Sequence, residues 1–248
     1  MKPCLLLVPE FTEVEWRIRP QLEQWATVRS FDPPGIGAEP PAKRLSREAI
    51  IRRGLDELDD WGCERVVVVA DGWGIPTAAG IAARRRELVA GMTLGHAKLS
   101  NRREGHDAPI NAEIYAAMSR LIETDAPSFV RVAIAQVTGG SVDEEHAQAM
   151  LARLPTEAMA QGWATLTADD PFADLLSGLT CPLLLAKHEG CLMSTDAGFA
   201  AAAAQFPHAQ TIAVTDTPTT SPKFADALRD FCLSTLTAEI AAPAIERG

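Results

Sequence analysis

The chain has 248 residues, 47% of them apolar and 23% charged, with a formal net charge of −10. That length suits one large domain or one domain with an insertion, and the composition excludes disorder, collagen and coiled coil as the main class. No nucleic-acid partner is expected: the balance is acidic, and the basic clusters Arg52-Arg53 and Arg84-Arg85-Arg86 fall on predicted helices, where they read as solvated faces.

Five scattered cysteines, Cys4, Cys63, Cys181, Cys191 and Cys232, contain no C-x-x-C, which argues against a disulfide framework and a structural zinc site. The apolar start Leu5–Val8 is too short for a signal peptide, and no stretch approaches the 18 or more apolar residues of a membrane span. A soluble cytoplasmic protein is therefore expected, with no membrane partner, no cofactor and no metal; a homo-oligomer is left open.

In chain order, Cys4–Val8 is a continuous apolar run, as in a strand buried on both faces. Trp25–Phe31 is half apolar and ends in the turn cluster Asp32-Pro33-Pro34-Gly35. From Ser46 to Trp61, Ile50, Ile51, Leu55 and Leu58 recur at helical spacing behind a Ser46 start signal. Val66–Ala70 is the clearest buried strand; it runs through Asp71-Gly72-Trp73-Gly74 into a small-residue helix at Thr77–Arg86, and Leu88–Leu94 reads as the next strand. The window from Gly95 to Thr167 then holds helical segments at Ile110–Thr124, Ser128–Val137, Val142–Arg153 and Glu157–Leu166. Strand signal resumes at Pro182–Ala186 and Thr211–Thr215, with helices at Asp196–Gln205 and Pro222–Leu233, and the patternless tail from Thr237 is expected to fray. Strands alternating with helices imply an α/β fold with a mostly parallel, doubly wound sheet, whose ligands bind at the carboxyl ends of the strands.

In this order the landmarks resemble the α/β-hydrolase superfamily over nearly the whole chain. Leu5-Leu6-Leu7-Val8 with Pro9-Glu10-Phe11 is similar to the first strand and oxyanion loop, with Trp16 where such proteins often place an aromatic. Asp32-Pro33-Pro34-Gly35-Ile36-Gly37 is similar to the D-x-x-G-x-G turn, Val66–Gly74 to the nucleophile elbow, and Leu179–Leu185 to the entry of the strand that carries the acid. The resemblance implies an α/β-hydrolase-like core at 1–94 and 168–248 and a helical cap at 95–167.

The chemistry departs from that pattern. The elbow needs small-x-nucleophile-x-Gly, and here it reads Ala70-Asp71-Gly72-Trp73-Gly74, with glycine in the nucleophile slot. The acid slot falls on Cys191, no histidine follows His208, and the base slot is matched by Thr220. Pro9 has no N–H to donate at the oxyanion loop, and Glu10 would bring negative charge there.

Candidate acid–base residues are Glu10, Asp71, His96 and His188. These four, with Phe11, Gly72, Trp73 and Cys191, are expected to line one ligand cavity under the cap, floored by space left open at Gly72. His188 and Cys191 alone offer too few ligands for a metal. His106, His146 and His208 read as surface residues. The leading expectation is a non-hydrolytic protein that binds a small, largely apolar molecule between core and cap. The alternatives are a lyase, isomerase or cyclase using the acid–base residues in the same pocket, and a hydrolase with a relocated nucleophile.

Overall fold

A computed structural model describes residues 2–98, 108–138, 140–167, 173–191 and 195–240. Its centre is a six-stranded sheet in the order β2-β1-β3-β4-β5-β6, every adjacent pair parallel. The strands are β1 (Cys4–Val8), β2 (Thr27–Ser30), β3 (Val66–Asp71), β4 (Val89–Gly95), β5 (Leu183–His188) and β6 (Gln210–Val214). β1, β3 and β4 are interior strands with almost no exposed side chain, which is why they are continuously apolar in sequence.

Successive side chains leave opposite faces and build two cores. Leu6, Val8, Val66, Val68 and Ala70 pack on one face, against Ile50, Ile51 and Leu58 of α2 (Arg47–Trp61) and Ile75, Ala78 and Ile81 of α3 (Ile75–Arg84). Leu5, Leu7, Val67 and Val69 pack on the other, against Leu22 of the short α1 (Arg19–Leu22) and Phe224, Leu228 and Phe231 of α10 (Pro222–Ile240). Ser46 caps α2 by accepting from Ala49 N–H. α10 continues to Ile240, so the fraying expected from Thr237 does not hold as far as that residue; 241–248 lie outside the described residues.

Between β4 and β5 the chain is a helical insertion: α4 (Ala108–Thr124), α5 (Ala126–Val137), α6 (Glu144–Arg153), α7 (Thr156–Leu166) and α8 (Ala173–Ser177). His106 lies outside the described residues. Aromatic edges seat the insertion on the core: Trp163 of α7 meets Trp73 at 5.1 Å and Phe129 of α5 at 5.3 Å, and Phe129 meets Phe11 at 6.4 Å. Polar contacts add to this. Arg153 pairs with Asp32, Gln161 accepts from Leu45 N–H at 2.8 Å, and Thr165 Oγ1 donates to Leu45 O at 3.0 Å. α9 (Asp196–Gln205), which Thr195 caps from its side chain, follows β5 and leads to β6. The carboxyl ends of β1, β3, β4 and β5 therefore meet beneath the insertion.

Candidate functional site

The first half of the site is built on the loop after β1 and the turn after β3. β3 runs through Asp71, and the chain then tightens into a 3-10 turn, Gly72–Gly74, that feeds α3. Gly72 has φ +41°, a region that side chains rarely tolerate. Gly74 permits close approach to β1, since a Cβ there would sit 3.1 Å from Val8 O. The Glu10 side chain folds back over the turn, and its Oε1 accepts from Trp73 N–H at 2.9 Å. A Cβ built on Gly72 would overlap that same oxygen. The space expected to stand open at Gly72 is thus filled by Glu10.

Glu15 locks the loop that presents Glu10. It lies on a 3-10 turn, Glu13–Glu15, and its carboxyl accepts from Glu10 N–H at 3.0 Å and from Phe11 and Thr12 N–H at 2.8 Å each. Pro9 offers no donor, but the next three N–H groups all do, and all three are taken by one side chain. Burial lifts the Glu15 pKa to about 7, against the pull of those three donors. Glu10 is held well above the usual carboxylate range by burial, then by Asp71 and Glu15. Both effects favour the protonated form of the carboxyl that is hydrogen-bonded to the elbow.

The second half of the site gathers at the ends of β3, β4 and β5. Asp71 Oδ1 lies 2.5 Å from His96 Nδ1, His96 Nε2 lies 3.2 Å from His188 Nδ1, and His188 Nε2 lies 3.1 Å from Thr215 O. The Thr215 carbonyl only accepts, so His188 Nε2 carries hydrogen and, in the neutral ring, Nδ1 is an acceptor. His96 then donates from both nitrogens, to Asp71 and to His188. Burial alone would lower the His96 pKa, but the Asp71 carboxylate overrides it and, with Cys191, raises the value to about 10. His96 has φ +48°, a positive value that no other non-glycine residue shares among the described residues. Strain of this kind costs about 1–3 kcal/mol and persists where surrounding contacts hold it.

A cavity of about 70 Å³ lies between the two halves. Glu10, Phe11, Asp71, Trp73 and His96 are on its wall, as are Ile134 and Val137 of α5 and Met150 of α6. Gly72, His188 and Cys191 are not, contrary to expectation: the Glu10 carboxyl covers Gly72, while His188 and Cys191 gather at the Nε2 side of the His96 ring. His146 is a second correction. It is half-buried and lines the cavity, because the Asp143 cap that accepts from its N–H starts α6 against the Glu13–Glu15 turn. His208 is exposed.

Sequence reasoning also missed Glu15, Thr217 and Thr219 on the cavity wall. For Glu15 a signal existed, since Thr12-Glu13-Val14-Glu15 has the T-x-x-E spacing by which a glutamate reaches back to cap the chain start. Thr220, the residue matched to the base slot, hydrogen-bonds Thr217 Oγ1 at 2.8 Å.

No family model and no curated protein matches the chain. Solved structures match it closely in shape. A hydrolase from Oleispira antarctica superposes with a TM-score of 0.80 at 16% identity, over 94% of this chain and 91% of its own. A haloalkane dehalogenase loop variant from Bradyrhizobium elkanii gives 0.76 at 17%, over 96% and 91%. An esterase from Thermogutta terrifontis gives 0.74 at 19%, over 95% and 90%. The chain therefore has the α/β-hydrolase fold, with a helical insertion between β4 and β5. Among the described residues no helix is long and apolar enough to cross a membrane.

Proposed function

We propose that this chain is a non-hydrolytic protein of the α/β-hydrolase fold that binds a small molecule in the cavity between the sheet edge and the helical insertion. One observation carries the reading: the Glu10 carboxyl occupies both the space of a nucleophile side chain at Gly72 and the N–H of Trp73. In a working elbow, the N–H after the nucleophile helps stabilise the oxyanion, and losing one such donor costs about 2.7–4 kcal/mol of barrier. Here that donor is engaged, and the N–H groups of the β1 loop are engaged by Glu15. The acid and base slots, Cys191 and Thr220, complete the departure. Five cysteines with no disulfide between them suit a reducing compartment, and we place the protein in the cytoplasm.

The cavity limits the ligand. An apolar cavity of about 150 Å³ holds one benzene, so 70 Å³ takes only a few heavy atoms, or the tip of a longer molecule. The raised pKa of Glu10 favours its protonated form, which both donates and accepts, and the buried Trp73 indole N–H has no partner among the described residues. A carbonyl or carboxamide head satisfies both, with Phe11, Ile134, Val137 and Met150 around the apolar remainder.

The test is a titration of the full chain with acetamide and propionamide, read on tryptophan indole N–H signals, with Trp73→Phe to assign the Trp73 signal. Saturable shifts centred on Trp73, together with no turnover of p-nitrophenyl esters, are expected. Ester turnover, or no shift at Trp73 with either amide, overturns the reading.

A second reading is favoured by the convergence of Glu10, Asp71 and His96 on the same cavity: an enzyme that moves protons on a bound substrate, as a lyase or isomerase does. It shares the pocket but requires conversion of the bound molecule, which the binding reading excludes.

A further inference from the structure

We propose that His96, His188 and Cys191 form a binding site for a zinc-class divalent metal ion, with two imidazole nitrogens and one thiolate as ligands. One donor atom from each of the three buried residues falls within a sphere where all lie within 4.8 Å of one another. A metal with nitrogen ligands at about 2.0–2.1 Å in tetrahedral array holds them about 3.3 Å apart. His96 Nε2 and His188 Nδ1 already stand at 3.2 Å. Cys191 Sγ, within 4.8 Å of both nitrogens and just beyond β5, completes the set by settling to a Zn–S bond of about 2.3 Å.

The surroundings carry the argument further than the donor count. A metal-bound histidine usually gives its other ring N–H to a carboxylate or a backbone carbonyl, which fixes its tautomer and orientation. Both histidines here do so: His96 Nδ1 to Asp71 Oδ1 at 2.5 Å and His188 Nε2 to Thr215 O at 3.1 Å. Each ring is thereby turned so that its remaining nitrogen faces the other and Cys191. Both ring nitrogens of a buried histidine need partners, and at the inner positions His96 Nε2 and His188 Nδ1 meet each other at a spacing that one metal ion can bridge. The positive φ of His96 places its ring in this position at a cost in backbone strain.

Binding balances simply. The metal ion enters, His96 Nε2 and the Cys191 thiol each release a proton to solvent, and no electron moves. Three protein ligands leave a fourth tetrahedral position for water or another small ligand. Because His96 also lines the cavity, the metal adjoins the ligand pocket without replacing Glu10 or Trp73 in it. The inference is thus independent of the binding reading above.

The experiment uses the full chain, freed of metal by chelation and titrated with Zn²⁺ against a chromophoric chelator, and with Co²⁺ as the spectroscopic probe. One ion per chain is expected, and the Co²⁺ form should show a thiolate-to-metal charge-transfer band with strong tetrahedral visible bands. Cys191→Ser should abolish the charge-transfer band, and Asp71→Asn, which keeps every ligand, should weaken affinity 10–100-fold. Cys4 and Cys63, which share a hydrogen bond, are the rival thiols, and Cys63→Ser should leave the band intact. Should Cys191→Ser fail to fold, Zn²⁺ protection of Cys191 from iodoacetamide in the wild-type chain, read by mass spectrometry, decides the same point. Substoichiometric binding, a band that survives Cys191→Ser or vanishes with Cys63→Ser, or unprotected Cys191 overturns the proposal.

Discussion

The two halves of the site use the same kind of strand-end loop in opposite ways. At the β1–β3 end, the protein's own carboxyls consume the backbone donors: Glu15 takes three N–H groups and Glu10 takes a fourth, at Trp73. At the β4–β5 end, Asp71 and the Thr215 carbonyl consume the outer ring nitrogens and leave the inner ones facing each other. The first half is closed on itself, and the second is held in position around a shared point. One sheet edge thus carries a loop pair closed by its own carboxyls beside another held open around a shared point, with no change in topology.

The largest effect that would break this comparison is loss of Asp71. Asp71→Ala leaves a buried His96 without its counterion, and removal of one partner of a buried pair costs about 3–5 kcal/mol. Urea unfolding measures it, and a cost below about 1 kcal/mol would mean that the His96 half is not held by this contact.

Next is the half closed by Glu10. Gly72→Ala adds a Cβ at φ +41° against Glu10 Oε1, for about 1–3 kcal/mol of strain and a similar overpacking cost. Glu10→Ala removes the obstacle but strands the Trp73 N–H, for about 1–3 kcal/mol. The double variant should therefore cost less than the two singles summed, with a coupling of about 0.5–3 kcal/mol in a double-mutant cycle. Additivity within error would show that Glu10 does not fill the elbow.

A third effect is on pH dependence and separates the halves by window: both lose stability as pH rises, the Glu10–Glu15 half from about 4.5 and the His96 half from about 6.5 towards 10. The Glu10 and Glu15 carboxyls keep their protons to higher pH in the folded chain than in the unfolded one, where such groups titrate near 4.5. Between 4.5 and about 7 the folded state binds more protons, so stability falls as pH rises, by about 1.4 kcal/mol per pH unit for one fully differential proton. Stability from this half is present below pH 4.5 and lost as pH passes 7. Melting temperatures from pH 5 to 8 should decline, and Glu10→Gln, which mimics the neutral acid, should flatten the decline. A flat wild-type profile would contradict the raised carboxyl pKa values, and a decline unchanged by Glu10→Gln would remove Glu10 from its causes.

Much of this fold was legible in the sequence, and the reasons are local. β1 and β3 are continuously apolar because neighbouring strands and helices cover both faces, and α2 displays its Ser46 cap and its buried Ile50, Ile51 and Leu58 stripe. α1 was not legible: it is four residues long, begins with Arg19-Pro20, and is held by Leu22 burial and by Ile18 N–H donating to Thr219 O at 3.0 Å. The site divided the same way. Glu10, Asp71 and His96 stood out because they follow strands, where parallel sheets bind ligands. Their partners did not, since His96 and His188 are 92 positions apart and nothing in spacing brings Nε2 to Nδ1. The filling of Gly72 was likewise hidden, because it depends on Glu10, whose carboxyl meets the turn at Trp73, 63 positions further along the chain.

The central claim is that Glu10 holds the place where an acyl group would be attacked. Labelling of the purified chain with a fluorophosphonate, followed by intact-mass and peptide mass spectrometry, tests it most directly. The account predicts no stoichiometric adduct in the wild type, and none in Gly72→Ser, since the proposed assignment puts Cys191 and Thr220 in the acid and base positions and triad members act as a unit. One adduct per chain at a single defined residue of the wild type would contradict it.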